Sequence, residues 1–123
     1  MIKFLDLYQQ YVGIKVEIDK AIKNSIENST FIGGAEVKKF EENFAAYQNV
    51  KFCTSVGNGT DALEIAIESL LLPKDSEVIV PANSFISSAE AVTRNNLKIV
   101  FCDINEDDYT INIEDLKKRI TNN

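Results

Sequence analysis

The sequence predicts an α/β fold, a parallel-type βαβαβ unit preceded by two helices. Short stretches that are apolar almost throughout alternate with segments whose apolar residues recur at helical spacing. Continuous apolar strands separated by helices are typical of a parallel sheet covered on both faces. The first fifty or so residues do not follow this alternation and carry helical spacing only. We therefore expect two segments, a helical one over residues 1–50 and the start of an α/β domain over residues 51–123.

The helical segment divides at a glycine pair. A first helix is expected over residues 7–29, and residues 30–34, which end in Gly33 and Gly34, break it. A second helix is expected over residues 35–47. The apolar stripes that predict them are Ile14, Ile18, Ala21, Ile22 and Ile26 in the first and Val37, Phe40, Phe44 and Tyr47 in the second.

The remaining elements follow in alternation. Strands are expected over residues 51–56, 77–80 and 97–104, and helices over residues 61–72, 84–95 and 113–120. On the 61–72 helix we expect Leu63 and Leu70 to face inward, and Asn112 is expected to cap the last helix. A further strand is expected after that helix, so the sequence is interpreted as truncated.

The composition disfavours several classes of function. A net charge of −6 without a basic stripe argues against nucleic acid and anionic membrane as partners. The chain has no histidine, and Cys53 and Cys102 form no C-x-x-C pair, so no metal site is expected. Both cysteines lie in apolar stretches and are predicted to be reduced core residues. Without a bilayer-spanning run or a signal-peptide core, the chain is expected in the cytoplasm.

The most informative motif is the glycine turn, residues 57–61, between the first predicted strand and the helix that follows. Its two glycines permit a tight turn and the close approach of a ligand. The unpaired N–H groups and positive dipole end of a helix N-terminus suit phosphate. The residues alone also fit plain capping of the helix by Thr60 or Asp61. Because ligands collect where parallel strands end, this turn and the loop over residues 81–85 are expected at one edge of the sheet, which favours a ligand site.

Five groups of residues occur in order along nearly the whole chain. They are FLDL at 4–7 with QY at 10–11, FIGGAEV at 31–37 with FE at 40–41, GTDAL at 59–63, EVIVPANSF at 77–85 with AEA at 89–91, and VFCDI at 100–104 with YTI at 109–111. In this order the chain resembles about the first third of the DegT/DnrJ/EryC1/StrS aminotransferases. The resemblance implies the N-terminal part of the large domain of a fold-type I, aspartate-aminotransferase-like enzyme that depends on pyridoxal 5′-phosphate.

The resemblance also implies roles for particular residues. The GTDAL turn of that family holds the cofactor phosphate, which assigns this role to Gly59, Thr60 and Asp61, and Asn58 stands where many relatives carry serine. Phe85 corresponds to the aromatic residue that stacks on the pyridine ring, although a lone phenylalanine at a helix start also fits a core position. The lysine that binds the cofactor covalently and the aspartate that pairs with the pyridine nitrogen lie further downstream in that family. No catalytic residue is therefore expected in this segment.

For the complete enzyme the resemblance implies ping-pong amination of a nucleotide-activated keto-deoxy sugar, linked to thymidine diphosphate in the subgroup suggested by Asn58 and its neighbours. Glutamate is the expected amino donor, a homodimer the expected assembly, and surface polysaccharide or glycan biosynthesis the expected pathway. The 123 residues alone are expected to be inactive, since Lys51, Lys74 and Lys98 resemble surface residues.

Three other interpretations stay open. A sugar dehydratase of the same family, in which another residue replaces the covalent lysine, would share every motif present. A small phosphate- or nucleotide-binding module would bind phosphate ligands without forming an imine. A truncated product would expose the stripes of its first two helices, which could be a subunit interface, and would self-associate.

Overall fold

The computed structural model describes residues 3–122 and divides the chain into two compact units, the first ending at Ser55 and the second beginning at Val56. The first unit contains α1 (Leu7–Glu27) and α2 (Ala35–Tyr47). The elements of the second unit are α3 (Gly59–Ser69), β1 (Glu77–Pro81), α4 (Ile86–Arg94), β2 (Lys98–Cys102) and α5 (Ile113–Arg119). The predicted α/β class is confirmed, and so is the parallel pairing of its strands.

The two helices of the first unit begin and end close to the predicted residues. Asp6 caps α1 by accepting a hydrogen bond from the backbone N–H of Gln9 at 3.2 Å. The break before α2 is made by Gly33 and Gly34, with φ angles of 63° and 93°, and the value at Gly34 is one that glycine adopts far more readily than other residues. The apolar stripe of α1 is exposed, and Ala45 on α2 is the buried apolar residue of this unit among residues 3–55.

The strand predicted over residues 51–56 is wrong. These residues have no strand conformation, because a strand needs a neighbouring ladder and none of the described residues pairs with them. The backbone N–H of Ser55 instead donates to the carboxylate of Glu41 at 2.7 Å. The predicted βαβαβ pattern is thus observed as a helix followed by a βαβ unit.

The core of the second unit lies between the two strands and α4. β1 and β2 pair in parallel, from Glu77 opposite Lys98 to Pro81 opposite Cys102, and α4 is the crossover between them. The buried apolar residues here are Val80, Ala91, Val92 and Cys102. Burial also raises the pKa of the Cys102 thiol, which keeps this thiol protonated at neutral pH. Cys53, in the first unit, is half-buried. Both cysteines are free thiols, and the predicted core position is confirmed for Cys102 but is wrong for Cys53.

Helix α3 differs from its prediction in start, end and buried face. It begins at Gly59 rather than residue 61 and ends at Ser69, shortly before Leu71, whose φ of 50° cannot continue a helix. Leu63 and Leu70, which were expected inward, are exposed, because α3 turns another side toward α4.

The last helix follows its prediction closely. Asn112 caps α5 by accepting from the backbone N–H of Asp115 at 3.0 Å. A short antiparallel bridge between Ile104 and Ile111 closes the turn before it. No helix in the described part of the chain is long and apolar enough to cross a membrane.

Candidate functional site

The glycine turn is held by the residue at its centre. Asn58 has an extended backbone and is the N-cap of α3, and its side-chain oxygen accepts from the backbone N–H of Asp61 at 3.0 Å. Its amide also donates to the Asp61 carboxylate at 3.1 Å. The prediction that Thr60 or Asp61 caps the helix is therefore wrong. The cap lies two residues before Thr60 because the Asn58 amide can both accept from the backbone and donate to the Asp61 carboxylate.

Capping by Asn58 leaves two backbone donors of α3 available. Asp61 donates to the Asn58 side chain and Ala62 donates to the Asn58 carbonyl at 3.1 Å. Within residues 3–122, the backbone N–H groups of Gly59 and Thr60 donate to no protein atom. Two free donors at the positive end of an eleven-residue helix suit an anion.

The two glycines of the turn have different structural reasons. A Cβ at position 57 would lie 2.6 Å from the Asp61 carboxylate, so Gly57 makes room for that side chain. A Cβ at position 59 would meet no atom within 4 Å, and packing therefore gives no reason for glycine at Gly59. The open space beside Gly59 and the free donors together fit a phosphate group.

The start of α4 lies against this turn. The hydroxyl of Thr60 is 2.7 Å from the hydroxyl of Ser87, which is only 7% exposed. This contact brings the N-terminus of α3 next to that of α4. The expected edge shared by two strand ends is not observed, because residues 51–56 form no strand. The sequence analysis missed Ser87, although it precedes the buried Ala91 by four residues and therefore shares its helix face.

Phe85 lies immediately before α4, in the loop that follows β1. Its side chain is 76% exposed, so its interpretation as a core phenylalanine is wrong. An exposed aromatic ring on a loop at the carboxyl end of a strand can cover one face of a planar ligand.

A second set of contacts joins α3 and α4 further along. Arg94 on α4 pairs with Glu90 on its own helix at 3.0 Å and with Glu64 on α3 at 3.3 Å. The hydrogen bond that Arg94 donates to Glu90 and the charge of Glu64 raise the pKa of Arg94. The side-chain amide of Asn95 donates to the backbone carbonyl of Glu64 at 3.0 Å. The two helices are thus fixed to each other both at the turn and near the end of α4.

The site contains groups that bind rather than groups that attack. Lys51, Lys74 and Lys98 are exposed, and none of them belongs to the glycine turn or to the loop after β1. Among the residues that the structure describes, no group of three or more acidic or cysteine side chains could hold a metal ion. The arrangement can hold a phosphate and offer an aromatic face beside it.

Comparison with known proteins gives one consistent family. Residues 13–123 match the model of the DegT/DnrJ/EryC1/StrS aminotransferase family. The chain is 36% identical over 121 residues to dTDP-3-amino-3,6-dideoxy-alpha-D-galactopyranose transaminase of Aneurinibacillus thermoaerophilus, a match that covers 98% of this chain and 33% of that protein. The chain thus spans about a third of the length of the curated relatives that it matches.

Two solved structures extend the comparison. The crystal structure of Streptomyces venezuelae DesV with a ketimine intermediate overlaps with a TM-score of 0.93 at 33% identity, over 98% of this chain and 33% of DesV. Escherichia coli GDP-4-keto-6-deoxy-D-mannose-3-dehydratase with bound hydrated pyridoxal phosphate overlaps with a TM-score of 0.79 at 31% identity, over 84% of this chain and 28% of that enzyme. These overlaps confirm the expected fold. The chain belongs to the DegT/DnrJ/EryC1/StrS aminotransferase family.

Proposed function

We propose that this chain is part of a pyridoxal-phosphate-dependent aminotransferase that aminates a nucleotide-linked keto-deoxy sugar, and that the glycine turn holds the cofactor phosphate. The observation that carries the proposal is the N-terminus of α3, where two free backbone donors face open space beside Gly59. Family membership and the dTDP-sugar transaminases among the relatives support the substrate class.

Each residue of the turn has a separate task in this proposal. The backbone N–H groups of Gly59 and Thr60 donate to phosphate oxygens, and the dipole of α3 stabilises the negative charge. Asn58 and Asp61 hold the turn in shape through their mutual hydrogen bonds. Phe85 packs on the cofactor ring from the loop after β1.

The bound cofactor supplies an electron sink for transfer of the amino group, with glutamate as the expected donor. In this proposal the described residues orient the cofactor but make no covalent bond to it. The exposed lysines have no counterpart in the matched motifs, so we expect these 123 residues alone to produce no 2-oxoglutarate from glutamate above the rate of free pyridoxal phosphate. A homodimer and a cytoplasmic location remain predictions.

A second candidate function is sugar dehydration. The overlap with the Escherichia coli dehydratase favours it, since that enzyme shares this part of the fold. The two functions differ in one residue. In the aminotransferase it is the lysine that binds the cofactor covalently, and in the dehydratase another residue replaces it. None of the matched motifs contains this position. The identity of that residue in a longer polypeptide would distinguish them.

Phosphate binding at the turn can be tested with a ligand that cannot form an imine. Pyridoxamine 5′-phosphate has no aldehyde, and pyridoxamine is its phosphate-free control. We expect the ¹⁵N-labelled chain to show amide shifts at Gly59 and Thr60 with the phosphate ester and none with pyridoxamine.

Matched glycine variants sharpen this test. Gly59→Ala fills the space proposed for the phosphate and should weaken binding about tenfold, equivalent to roughly 1.4 kcal/mol. Gly13→Ala, in α1, adds a methyl group in equally open space and should leave binding unchanged. Equal shifts with pyridoxamine, or equal affinity in both variants, would refute the proposed phosphate site. A small phosphate-binding module would also give these shifts, and covalent labelling of one lysine after borohydride treatment would contradict our assignment of the lysines.

A further inference from the structure

We propose that Ser87 is a positioning residue for the phosphate site: when phosphate is bound, its hydroxyl donates to the Thr60 hydroxyl and so directs the Thr60 proton toward the phosphate. The inference rests on the proposed function and adds to it a residue that lies outside the matched GTDAL motif. It concerns a side chain on α4 that acts through a side chain on α3.

The hydroxyl groups of Ser87 and Thr60 lie within hydrogen-bond distance of each other and differ in burial. The two hydroxyl oxygens are 2.7 Å apart, a normal distance for a hydrogen bond between hydroxyl groups. Ser87 is buried, with 7% of its surface exposed, whereas Thr60 is half-buried at the first turn of α3. Ser87 therefore lies on the protein side of the pair and Thr60 lies on the side of the turn.

The two hydroxyl groups share two protons, and the hydrogen bond between them uses one. Each hydroxyl group has one proton to donate and can also accept. One proton lies between the two oxygens, so the group that accepts this hydrogen bond keeps its own proton for a further acceptor. When a phosphate approaches the turn, the favourable arrangement has Ser87 donating to Thr60 and Thr60 donating to the phosphate. A chain of this kind strengthens each bond through polarisation.

A neighbouring pair offers a matched control. The hydroxyl groups of Ser84 and Ser88 are also 2.7 Å apart, but that pair is exposed, and among the described residues no hydrogen bond joins it to the glycine turn. Ser88 follows Ser87 directly on α4, so substitution at either position changes the same helix by the same atom. Only the Ser87 variant removes the hydroxyl partner of Thr60.

The test is a double-mutant cycle on the full 123-residue chain, read from the affinity for pyridoxamine 5′-phosphate at the Gly59 and Thr60 amides. We expect Ser87→Ala to weaken binding about three- to tenfold, the range of one hydrogen bond, and Ser88→Ala to leave it unchanged. In a Thr60→Val background, which lacks the hydroxyl, Ser87→Ala should have no further effect. Thr60→Ser, which keeps the hydroxyl, should restore the sensitivity to Ser87.

A purely structural role predicts a different pattern. If Ser87 only stabilises the contact between the helices, Ser87→Ala should weaken binding in the Thr60→Val background too, and this result would overturn the inference. Should Ser87→Ala lose helical circular dichroism, Ser87→Cys replaces it, because sulfur fills the site but donates weakly. Normal wild-type binding with equal affinity in the Ser87 variant refutes the inference alone. Absence of phosphate-dependent shifts in the wild-type chain refutes the proposed function and the inference together.

Discussion

The two units of this chain are both rich in helix, yet they bury their apolar side chains to very different extents. In the unit ending at Ser55, α1 carries a long apolar stripe whose members are exposed, and Ile22 in this stripe is 54% exposed. In the unit beginning at Val56, the sheet and α4 enclose a core in which Val92 is 1% exposed. Apolar residues at helical spacing thus predict helices in both units. They are buried in the second unit, where α4 packs against the sheet, and exposed along α1 in the first.

This difference separates local structure from tertiary stabilisation. An isolated helix is marginal in water, and most helical stability comes from packing of the apolar face. Within the described residues, α4 has that packing and α1 does not. We therefore expect equivalent substitutions in the two units to have unequal effects.

The largest expected effect comes from a charge placed in the core. Val92→Asp buries a carboxylate with no partner and should cost at least about 4 kcal/mol of the free energy of unfolding. The measurement is hydrogen exchange of the β1 and β2 amides, which reports opening of the unit that contains Val92.

Val16→Asp is the matched control, because it makes the same substitution on an exposed helix position of the first unit. We expect it to change the exchange of the same amides by no more than about 0.5 kcal/mol. If both variants destabilised the sheet equally, the comparison between the two units would fail.

Two asparagines provide a finer version of the same comparison. Asn95 and Asn28 are the C-cap residues of α4 and α1, and each donates its side-chain amide to a backbone carbonyl four residues earlier. Asn95 also reaches the Glu64 carbonyl on α3 at 3.0 Å, whereas Asn28 contacts only its own helix among the residues described. Asn95→Ala should therefore cost about 1–2 kcal/mol and Asn28→Ala less than about 0.5 kcal/mol. Thermal unfolding followed by circular dichroism measures both, and equal costs would show that the contact between α3 and α4 adds nothing.

Much of the fold could be predicted from the sequence, and the errors have physical causes. Helices depend on spacing within one segment, so α2 was predicted to the residue. The strand over residues 51–56 was predicted wrongly because a strand depends on a partner that local sequence does not specify. The exposed face of α3, with Leu63, likewise depends on which neighbour the helix meets.

The candidate site shows the same limit at the level of single residues. The glycine turn could be predicted from its own residues, because a tight turn is a local feature, whereas Phe85 was predicted from the resemblance to the family. The cap at Asn58 was assigned to the wrong residue, since Asn58, Thr60 and Asp61 all have side chains that can cap a helix. Ser87 was missed because its partner Thr60 is 27 residues away in sequence.

The smallest effect at neutral pH is expected from Asp115, where asparagine keeps an acceptor oxygen but loses the charge. The hydrogen bond from the backbone N–H of Asp103, at 2.9 Å, and the nearby Arg119 lower the pKa of this carboxyl. A lowered pKa stabilises the folded state above the unfolded pKa of about 4, and this contribution is lost as the pH falls through the folded value. The advantage of the wild type over Asp115→Asn, measured by urea unfolding, should therefore be present at pH 7 and should decrease as the pH falls below about 4, the unfolded pKa. Hydrogen bonds from Lys15 and Tyr11 also lower the pKa of Asp19 in α1. The side chain of Asp19 is 46% exposed, whereas that of Asp115 is 18% exposed. We therefore expect Asp19→Asn to change the pH dependence of the free energy of unfolding less than Asp115→Asn does. A larger effect from Asp19→Asn would reverse the ranking of the two units.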